Sequence, residues 1–574
     1  MGIPSYFLQI VKKYKNIIKN TTHLCGTVDH FYADCNGIIY DVIRHIPFTN
    51  KTVDAYETEV IDAVCIKIQS YIDIFQPKDK VIIAFDGVAP VAKLNQQRER
   101  RYKSWLTGEL QKRIEKRDAS KKMKSENVET STFWNTSSIT PGTAFMKKLN
   151  SHVTDHFKSN SKVLVSTSDV CGEGEHKMFQ YIRDFADEHK HKTTIIYGLD
   201  ADLIMLCLNH LHISERIFLY RETPEFIKSV DNTLDQAADY YIDIPELAQS
   251  IIKYMNGMHD QQDQVSAKIE FQSEKCRIFD YIFICFMLGN DFMPHFPALN
   301  IRTGAIDTLL AAYRQTIGSN PGEYIIFSMA SDYKINWVNY KRFIEYLADR
   351  EDELVQKEYK RRDRMQQLQA MHSSGYKSTT SICSDIVSEW TDAELPASMD
   401  EFNMCPMKYR EKEKYMNPFA QGWEHRYYET LFHLKITASA CKNICLNYLE
   451  GMEWTFKYYS SGCIDWRWSY KYHYPPLLKD LCQFIPDTPH HDFLQVVEPS
   501  PIRDIVQLCY VLPKPSLQLL PRRVYENMSK HPNFNSMYAT NHHMNWSFCK
   551  FFWECHSEMP QLDIRELEEI CSTC

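Results

Sequence analysis

The hydrophobic pattern of the first third of the chain predicts strands and helices in turn. Phe31-Tyr32-Ala33 is a short apolar run ending at Asp34, and Val81-Ile82-Ile83-Ala84-Phe85 is a continuous one ending at Asp86. Val163-Leu164-Val165 and Ile195-Ile196-Tyr197 look the same, the latter running into Asp200 and Asp202. Between the first two runs, Val60, Ile61, Val64, Ile68 and Ile72 recur at the three- and four-residue spacing of one helix face, predicting a helix over 57–75. Runs that are apolar throughout suit a parallel sheet covered by helices on both faces. The hairpin signals of a β-sandwich are not found. The expected fold class is α/β, with a parallel or mostly parallel twisted sheet flanked by helices and an α-rich second domain.

Polar stretches punctuate this pattern. Residues 93–124 hold twelve lysines or arginines against four acids, a local charge of +8, and read as a long helix extending into solvent. The stretch 121–143 is polar and rich in Ser and Thr, which predicts a loop or mobile tip. Residues 345–375 are dense in mixed charge and read as a solvent-exposed helix, followed by a Ser/Thr-rich linker through Ser381. The expected organisation is a first domain over 1–350, a charged helix and linker over 351–400, and an aromatic-rich helical domain over 401–574. No internal repeat is present.

Composition adds exclusions. The 574 residues carry 66 Lys and Arg against 74 Asp and Glu, a net charge of -8, which by itself makes nucleic acid an unobvious partner. The +8 segment changes that picture, because local patches and not totals govern association. The longest apolar runs, Val81–Phe85 and Ile282–Leu288, fall far short of the roughly 20 residues needed to cross a bilayer. The N-terminus lacks the ordered regions of a secretory signal, and Tyr6 stands where a myristoylation signal needs Ser or Thr. No membrane partner is expected, and cytoplasmic is the default location. The 18 cysteines are scattered and read as reduced thiols with no disulfide-linked partner. Neither Cys441/Cys445 nor Cys571/Cys574 has the second pair of a structural zinc site.

The candidate chemistry lies in the acids. In open α/β sheets ligands bind outside the carboxyl ends of the strands, where Asp34, Asp86 and the Asp200/Asp202 pair stand. Glu173 and Glu175 follow Gly172 at an expected helix start, and Asp291 closes an apolar helix running from about Cys276 to Leu288. Asp280, inside that helix, is a possible additional acid that also reads as a buried structural residue. A lone Asp-x-Asp or Glu-Gly-Glu is ordinarily a cap or a turn. Six or more acids, each at an element end beside small residues, point to magnesium, which takes oxygen ligands. Two such ions roughly 4 Å apart serve phosphodiester chemistry. Histidines and cysteines do not cluster with these acids in the sequence, so zinc is the weaker choice there.

Several blocks make the motifs recognisable. They are Met1-Gly-Ile-Pro-Ser-Tyr-Phe7, Tyr32-Ala-Asp-Cys-Asn-Gly-Ile-Ile39, Phe85-Asp-Gly-Val-Ala-Pro90, Lys93-Leu-Asn-Gln-Gln-Arg-Glu-Arg-Arg101, Gly172-Glu-Gly-Glu-His-Lys177, Tyr197-Gly-Leu-Asp-Ala-Asp-Leu-Ile204 and Gly289-Asn-Asp-Phe-Met-Pro-His295. Further along come Tyr448-Leu-Glu-Gly-Met-Glu-Trp454, Tyr458-Tyr-Ser-Ser-Gly462 and Tyr472-His-Tyr-Pro-Pro476. In this order, over most of the chain, they resemble the XRN family of 5′-to-3′ exoribonucleases. The resemblance is to a short form of the cytoplasmic enzymes without their long C-terminal extension, which fits a divergent or viral lineage.

The resemblance implies a nuclease core related to flap endonucleases and PIN-like enzymes. It implies metal binding by Asp34, Asp86, Glu173, Glu175, Asp200, Asp202 and Asp291, with two Mg2+ ions that Mn2+ can replace. It implies a 5′-monophosphate pocket at Lys93, Gln97, Arg100 and Arg101, residues that a helix places on one face. In the family the first base stacks between a histidine and a tryptophan; the histidine position is Tyr40 here, and the tryptophan is Trp466 or Trp468. Cys171 replaces a proline common in the family, and no zinc-knuckle spacing is seen. The implied substrate is single-stranded RNA with a 5′-monophosphate end, degraded to nucleoside 5′-monophosphates by an enzyme expected to be a monomer. A DNA flap nuclease sharing the acids, or a catalytically silent RNA-binding scaffold, is the alternative.

Overall fold

A computed structural model describes residues 5–24, 26–49, 51–121, 134–221, 234–235, 238–257, 271–320, 322–329, 332–372 and 384–572. The central sheet has seven strands: β1 (Ile18–Asn20), β2 (His30–Asp34), β3 (Lys80–Ala84), β4 (Val163–Ser166), β5 (Thr193–Tyr197), β6 (Arg216–Tyr220) and β7 (Tyr240–Asp243). Their order is β1-β7-β6-β5-β2-β3-β4. The neighbours from β6 through β5, β2 and β3 to β4 are parallel, while β7 pairs antiparallel with both β6 and β1. The four strands read from the sequence are adjacent in the sheet, and β2 to β5 aligns Phe31 with Ile195 and Tyr32 with Ile196. The sheet is thus mostly parallel, with an antiparallel edge at β7 and β1.

Helices cover both faces. The first helices are α1 (Tyr6–Lys13), α2 (Asn36–His45), α3 (Val53–Phe75), α4 (Val91–Lys121), α5 (Ala144–Phe157) and α6 (Gly174–Asp184). Helix α3 starts at Thr52, whose hydroxyl accepts the Ala55 N–H, an N-cap that satisfies one orphan donor. It buries Val60, Ile61, Val64 and Ile68 with α2 and α5 against Phe31, Val81 and Ile83. The opposite face packs Tyr32, Ile82 and Ile196 into a larger core with α1, α6 and the helices Leu203–His210 and Phe271–Cys285. Alternate side chains of one strand thus feed two cores, as the two-residue period requires.

Three sequence expectations change. Helix α4 does not extend into solvent. Tyr102, Leu106, Leu110 and Ile114, one turn apart in succession, bury with Trp390, Phe402, Trp546 and Phe552, and Arg113 and Arg117 donate to the carbonyls of Trp390 and Leu395. The basic residues therefore line the edges of a helix whose apolar stripe is covered by later chain. The charged helix Glu351–His372 is likewise half covered, with Val355 and Tyr359 packed against Trp423 and Tyr427, and Arg362 bridging Glu413 at 2.6 Å. Among the described residues, the packing continues across the boundary expected near 350–400. The helix Ala438–Ser460 shares one core with the helices Phe271–Cys285 and Trp337–Ala348, because its Tyr448, Met452 and Phe456 face them.

Part of the expected tip, residues 122–133, lies outside the described residues, as do residues 373–383 of the expected linker. Ile139, Thr140 and Thr143 of the same stretch are buried instead of mobile, since the Thr143 hydroxyl donates to the Ser138 carbonyl and accepts the Met146 N–H to cap α5. Among the described residues no helix is long and apolar enough to cross a membrane.

Candidate active site

The carboxylates converge at the carboxyl edge of the sheet. Asp34 ends β2, and Asp86 follows β3 by two residues. Asp86 is held from both sides: Asn36 Nδ2 donates to its Oδ2 at 2.7 Å, and the Gly174 N–H donates to its Oδ1 at 2.7 Å. The loop after β4 delivers Glu173 and Glu175 at the start of α6. Gly174 lies so close that an added Cβ would stand 2.7 Å from Asp34 Oδ1 and 3.1 Å from the Ala84 carbonyl; only glycine lets the two acid-bearing segments meet. Asp200 and Asp202 follow β5 and open the helix Leu203–His210. Asp291 sits in a turn fixed by Asn290 Oδ1, which accepts the N–H groups of Phe292 and Met293.

Burial makes the cluster electrostatically costly. Glu173, Glu175, Asp202 and Asp291 are each 3–5 % exposed. Burial, then Asp86 and Asp200, pushes Asp34 well above the usual carboxylate range. Burial and Asp202 do the same to Glu175. Burial, reinforced by Asp291 and Asp200, pushes Asp202 up to about 7. Water-poor surroundings and like charges both disfavour the ionised form. Asp34 Oδ1, Glu175 Oε2 and Asp202 Oδ1 are buried with no hydrogen-bond partner. Buried oxygens without donors, crowded by like charge, are the donor set a hard divalent cation satisfies.

Lys93 supplies a fixed positive charge here. Its ammonium bridges Glu173 and lies 3.1 Å from Asp291 Oδ2. The first turn of α4 turns Lys93, a residue of the expected phosphate pocket, to the acids. Gln96, unremarked in the sequence, donates to Asp291 Oδ1 at 2.6 Å. Two tyrosines of the helix Ala438–Ser460 close the opposite wall: Tyr458 donates to Glu173 Oε2 at 2.7 Å and Tyr459 to Asp202 Oδ2 at 3.3 Å. Both lie in the Tyr458–Gly462 block, and no local signal reveals contacts 285 and 257 residues away.

His176 also departs from expectation. It lies with Glu173 and Glu175 as a possible ligand set, and its ring stacks on Tyr458 with centroids 3.8 Å apart. Asp280 is not a member. It is fully buried away from the acids and accepts hydrogen bonds from the Tyr313 hydroxyl and the N–H groups of Ile325 and Ile326. Its role is to fix the entry to β8 (Ile326–Met329), as its apolar helix had hinted.

Farther along α4, Gln97 Oε1 and Arg101 Nε are buried without hydrogen-bond partners, while Arg100 is exposed. Burial pulls the Arg101 guanidinium down to about 10, with half-buried Tyr40 beside it. The unpartnered Arg101 N–H on a basic helix suits an anionic oxygen. The two tryptophans separate. Trp468 is a core residue, stacked on Trp454 at 5.1 Å. Trp466 is half-buried, and its carbonyl accepts the Val91 N–H at the start of α4. A cavity of about 570 Å3 runs beside Asp291, Gln96 and Arg100, between α4 and residues 470–474 and 553–561.

Comparison with known proteins adds the lineage. The XRN 5′-3′ exonuclease N-terminus matches residues 1–223, and the Xrn1 helical domain matches residues 270–573. The chain belongs to the XRN family. Its relatives include a 5′-3′ exoribonuclease 2 homolog of Drosophila melanogaster, 26% identical over 99% of this chain and 70% of the relative. The 5′-3′ exoribonuclease 2 of Arabidopsis thaliana is 28% identical over 99% and 67%, respectively. The 5′-3′ exoribonuclease 1 of Saccharomyces cerevisiae is 27% identical over 91% of this chain and 40% of the relative. Residues 224–269 separate the two family segments, and the XRN helical domain takes in both Asp291 and the tyrosines Tyr458 and Tyr459. The cluster of acids is thus assembled from both segments.

Proposed function

We propose that this chain is a metal-dependent 5′-3′ exoribonuclease that degrades single-stranded RNA from a 5′-monophosphate end and releases nucleoside 5′-monophosphates. The observation that carries the reading is the buried oxygens of Asp34, Glu175 and Asp202 that have no hydrogen-bond partner, together with the buried, unpartnered Nε of Arg101 on α4. The first suits divalent cations, and the second suits a terminal phosphate at a fixed distance from them.

Asp34, Asp86, Glu173, Glu175, Asp200, Asp202 and Asp291 would hold Mg2+, or Mn2+ in its place. The metal, when bound, supplies Lewis-acid polarisation of the scissile phosphate and its attacking water. The chain's own residues do the rest. Asn36 and the Gly174 N–H orient Asp86, Gln96 orients Asp291, and Tyr458 orients Glu173. Arg101, Arg100 and Gln97 grip the terminal phosphate, and Lys93 offsets charge between that grip and the acids. Tyr40 and Trp466 offer stacking faces, worth about 1–3 kcal/mol per base and indifferent to sequence. The contacts are to phosphate and base faces, so cleavage is sequence-independent.

The test is a rate comparison on one RNA carrying a 5′-monophosphate, a 5′-hydroxyl or a 5′-triphosphate. The monophosphate is degraded about tenfold faster or more, a difference of about 1.4 kcal/mol per tenfold, and Arg101→Ala removes that preference. Equal rates on all three ends overturn the pocket.

A further inference from the structure

A second cluster lies on the far wall of the cavity, on residues that the nuclease site does not use. Glu99 is an acid inside the basic run of α4. His473 comes from the loop 470–474, and His556 from the short strand β11 (His556–Ser557), following β8, β9 (Asp332–Ile335) and β10 (Met544–Asn545). Three segments far apart in sequence thus bring one carboxylate and two imidazoles together, with their donor atoms all within 4.8 Å of one another.

The spacing separates two readings. Glu99 Oε1 lies 3.3 Å from His473 Nδ1, and Glu99 Oε2 lies 3.8 Å from His556 Nδ1. Good N–H···O bonds run at about 2.7–3.2 Å, shorter than either. Ligands bound at about 2.0–2.1 Å to one tetrahedral ion stand about 3.3 Å apart along each edge. The two rings stack at 5.0 Å and 30°, and both present Nδ1 to one carboxylate. Glu99 is 12 % exposed in its side chain and the histidines 39 % and 27 %, so the group is enclosed on one side and open to the cavity on the other.

We propose that Glu99, His473 and His556 form a zinc site in the cavity wall, with a fourth position open to water. Two imidazoles and a carboxylate are a borderline set that takes Zn2+ with three protein ligands; Mg2+, which demands oxygen, is disfavoured. Lys103 is the opposing charge, with Nζ 3.9 Å from Glu99 Oε2, but it is tethered by donating to the carbonyls of Trp553 and Cys555. The ion would pin α4, one residue before Arg100, to the loop 470–474 and to β11. This site is distinct from the acid cluster and does not depend on the nuclease reading.

The test uses the full chain, stripped with chelator, reloaded with ZnSO4 and desalted into millimolar MgCl2. Elemental analysis then finds about one equivalent of zinc. CoCl2 in its place gives the intense visible bands of tetrahedral coordination. Glu99→Gln and His556→Asn lose at least about tenfold in retained zinc, while Glu175→Gln keeps it. Absence of retained zinc and of tetrahedral cobalt bands in the unmodified protein overturns the proposal, as does retention in every variant. Loss in Glu175→Gln overturns it too, by placing the ion at Glu173, Glu175 and His176. If the variants do not fold, diethyl pyrocarbonate mapping of the unmodified protein decides: zinc shields His473 and His556, and equal modification with and without zinc contradicts the site.

Discussion

At the scale of single residues, the working of the site rests on how each carboxylate is held. Tyr458 shows this most directly, because its hydroxyl donates to Glu173 while its ring stacks on His176. Tyr458→Phe keeps the stack and removes only the hydroxyl. Loss of such an orienting bond lowers metal affinity or activity by about 10–100-fold, and a Mg2+ titration of the initial rate would register it as a rise in the half-saturating concentration. A purely structural Tyr458 would leave that concentration unchanged. A second residue-scale prediction concerns Glu351, which is buried and accepts the N–H groups of Leu478 and Lys479. Burial pushes its carboxyl up from 4.5 to about 7. The folded state then holds a proton that the unfolded state has lost between those values, so this residue's contribution to stability falls as pH rises through that window. Relative to Glu351→Gln, the wild type should lose up to about 1.4 kcal/mol per pH unit between about 4.5 and 7, measured by denaturant melts at a series of pH values. A pH-independent difference contradicts it.

At the scale of elements, helix α4 is where the sequence both informs and misleads. Its charge announced a contact surface, but charge density hid an apolar stripe at Tyr102, Leu106, Leu110 and Ile114. Those positions were visible at four-residue spacing; their partners, Trp390 and Phe552, were not, because nothing local specifies a packing contact hundreds of residues away. Leu106→Ala is expected to destabilise the protein by about 2–5 kcal/mol, as a buried leucine does, and a solvent-exposed helix would show a change near zero in thermal melts. The strands were legible for a different reason. The central parallel strands β2, β3 and β5 are buried on both faces and carry continuous apolar runs, and an acid ends or closely follows each, as Asp34 does for β2. The antiparallel strand β7 was not, since its partner β1 is only three residues long.

At the scale of the molecule, the net charge of -8 is resolved into opposed regions that meet at one edge of the sheet. The acids were legible one by one from their strand and helix ends. Their mutual burial, and the placing of Lys93 among them, came only from folding, because Lys93 and Glu173 are 80 residues apart. Asp280 illustrates the converse: an acid in an apolar helix, next in sequence to the cluster but engaged by Tyr313 and β8. Tyr458 and Tyr459 place the helical segment of the XRN fold over the site, so neither segment holds a complete site alone.

The most direct test of the account follows the products. RNA with a 5′-monophosphate and a labelled 3′ end, incubated with Mg2+, should yield nucleoside 5′-monophosphates while the labelled strand shortens from its 5′ side. Asp202→Ala or added EDTA should reduce the rate by about 100-fold or more. Internal fragments from the outset, shortening from the labelled end, or full activity in EDTA would contradict it.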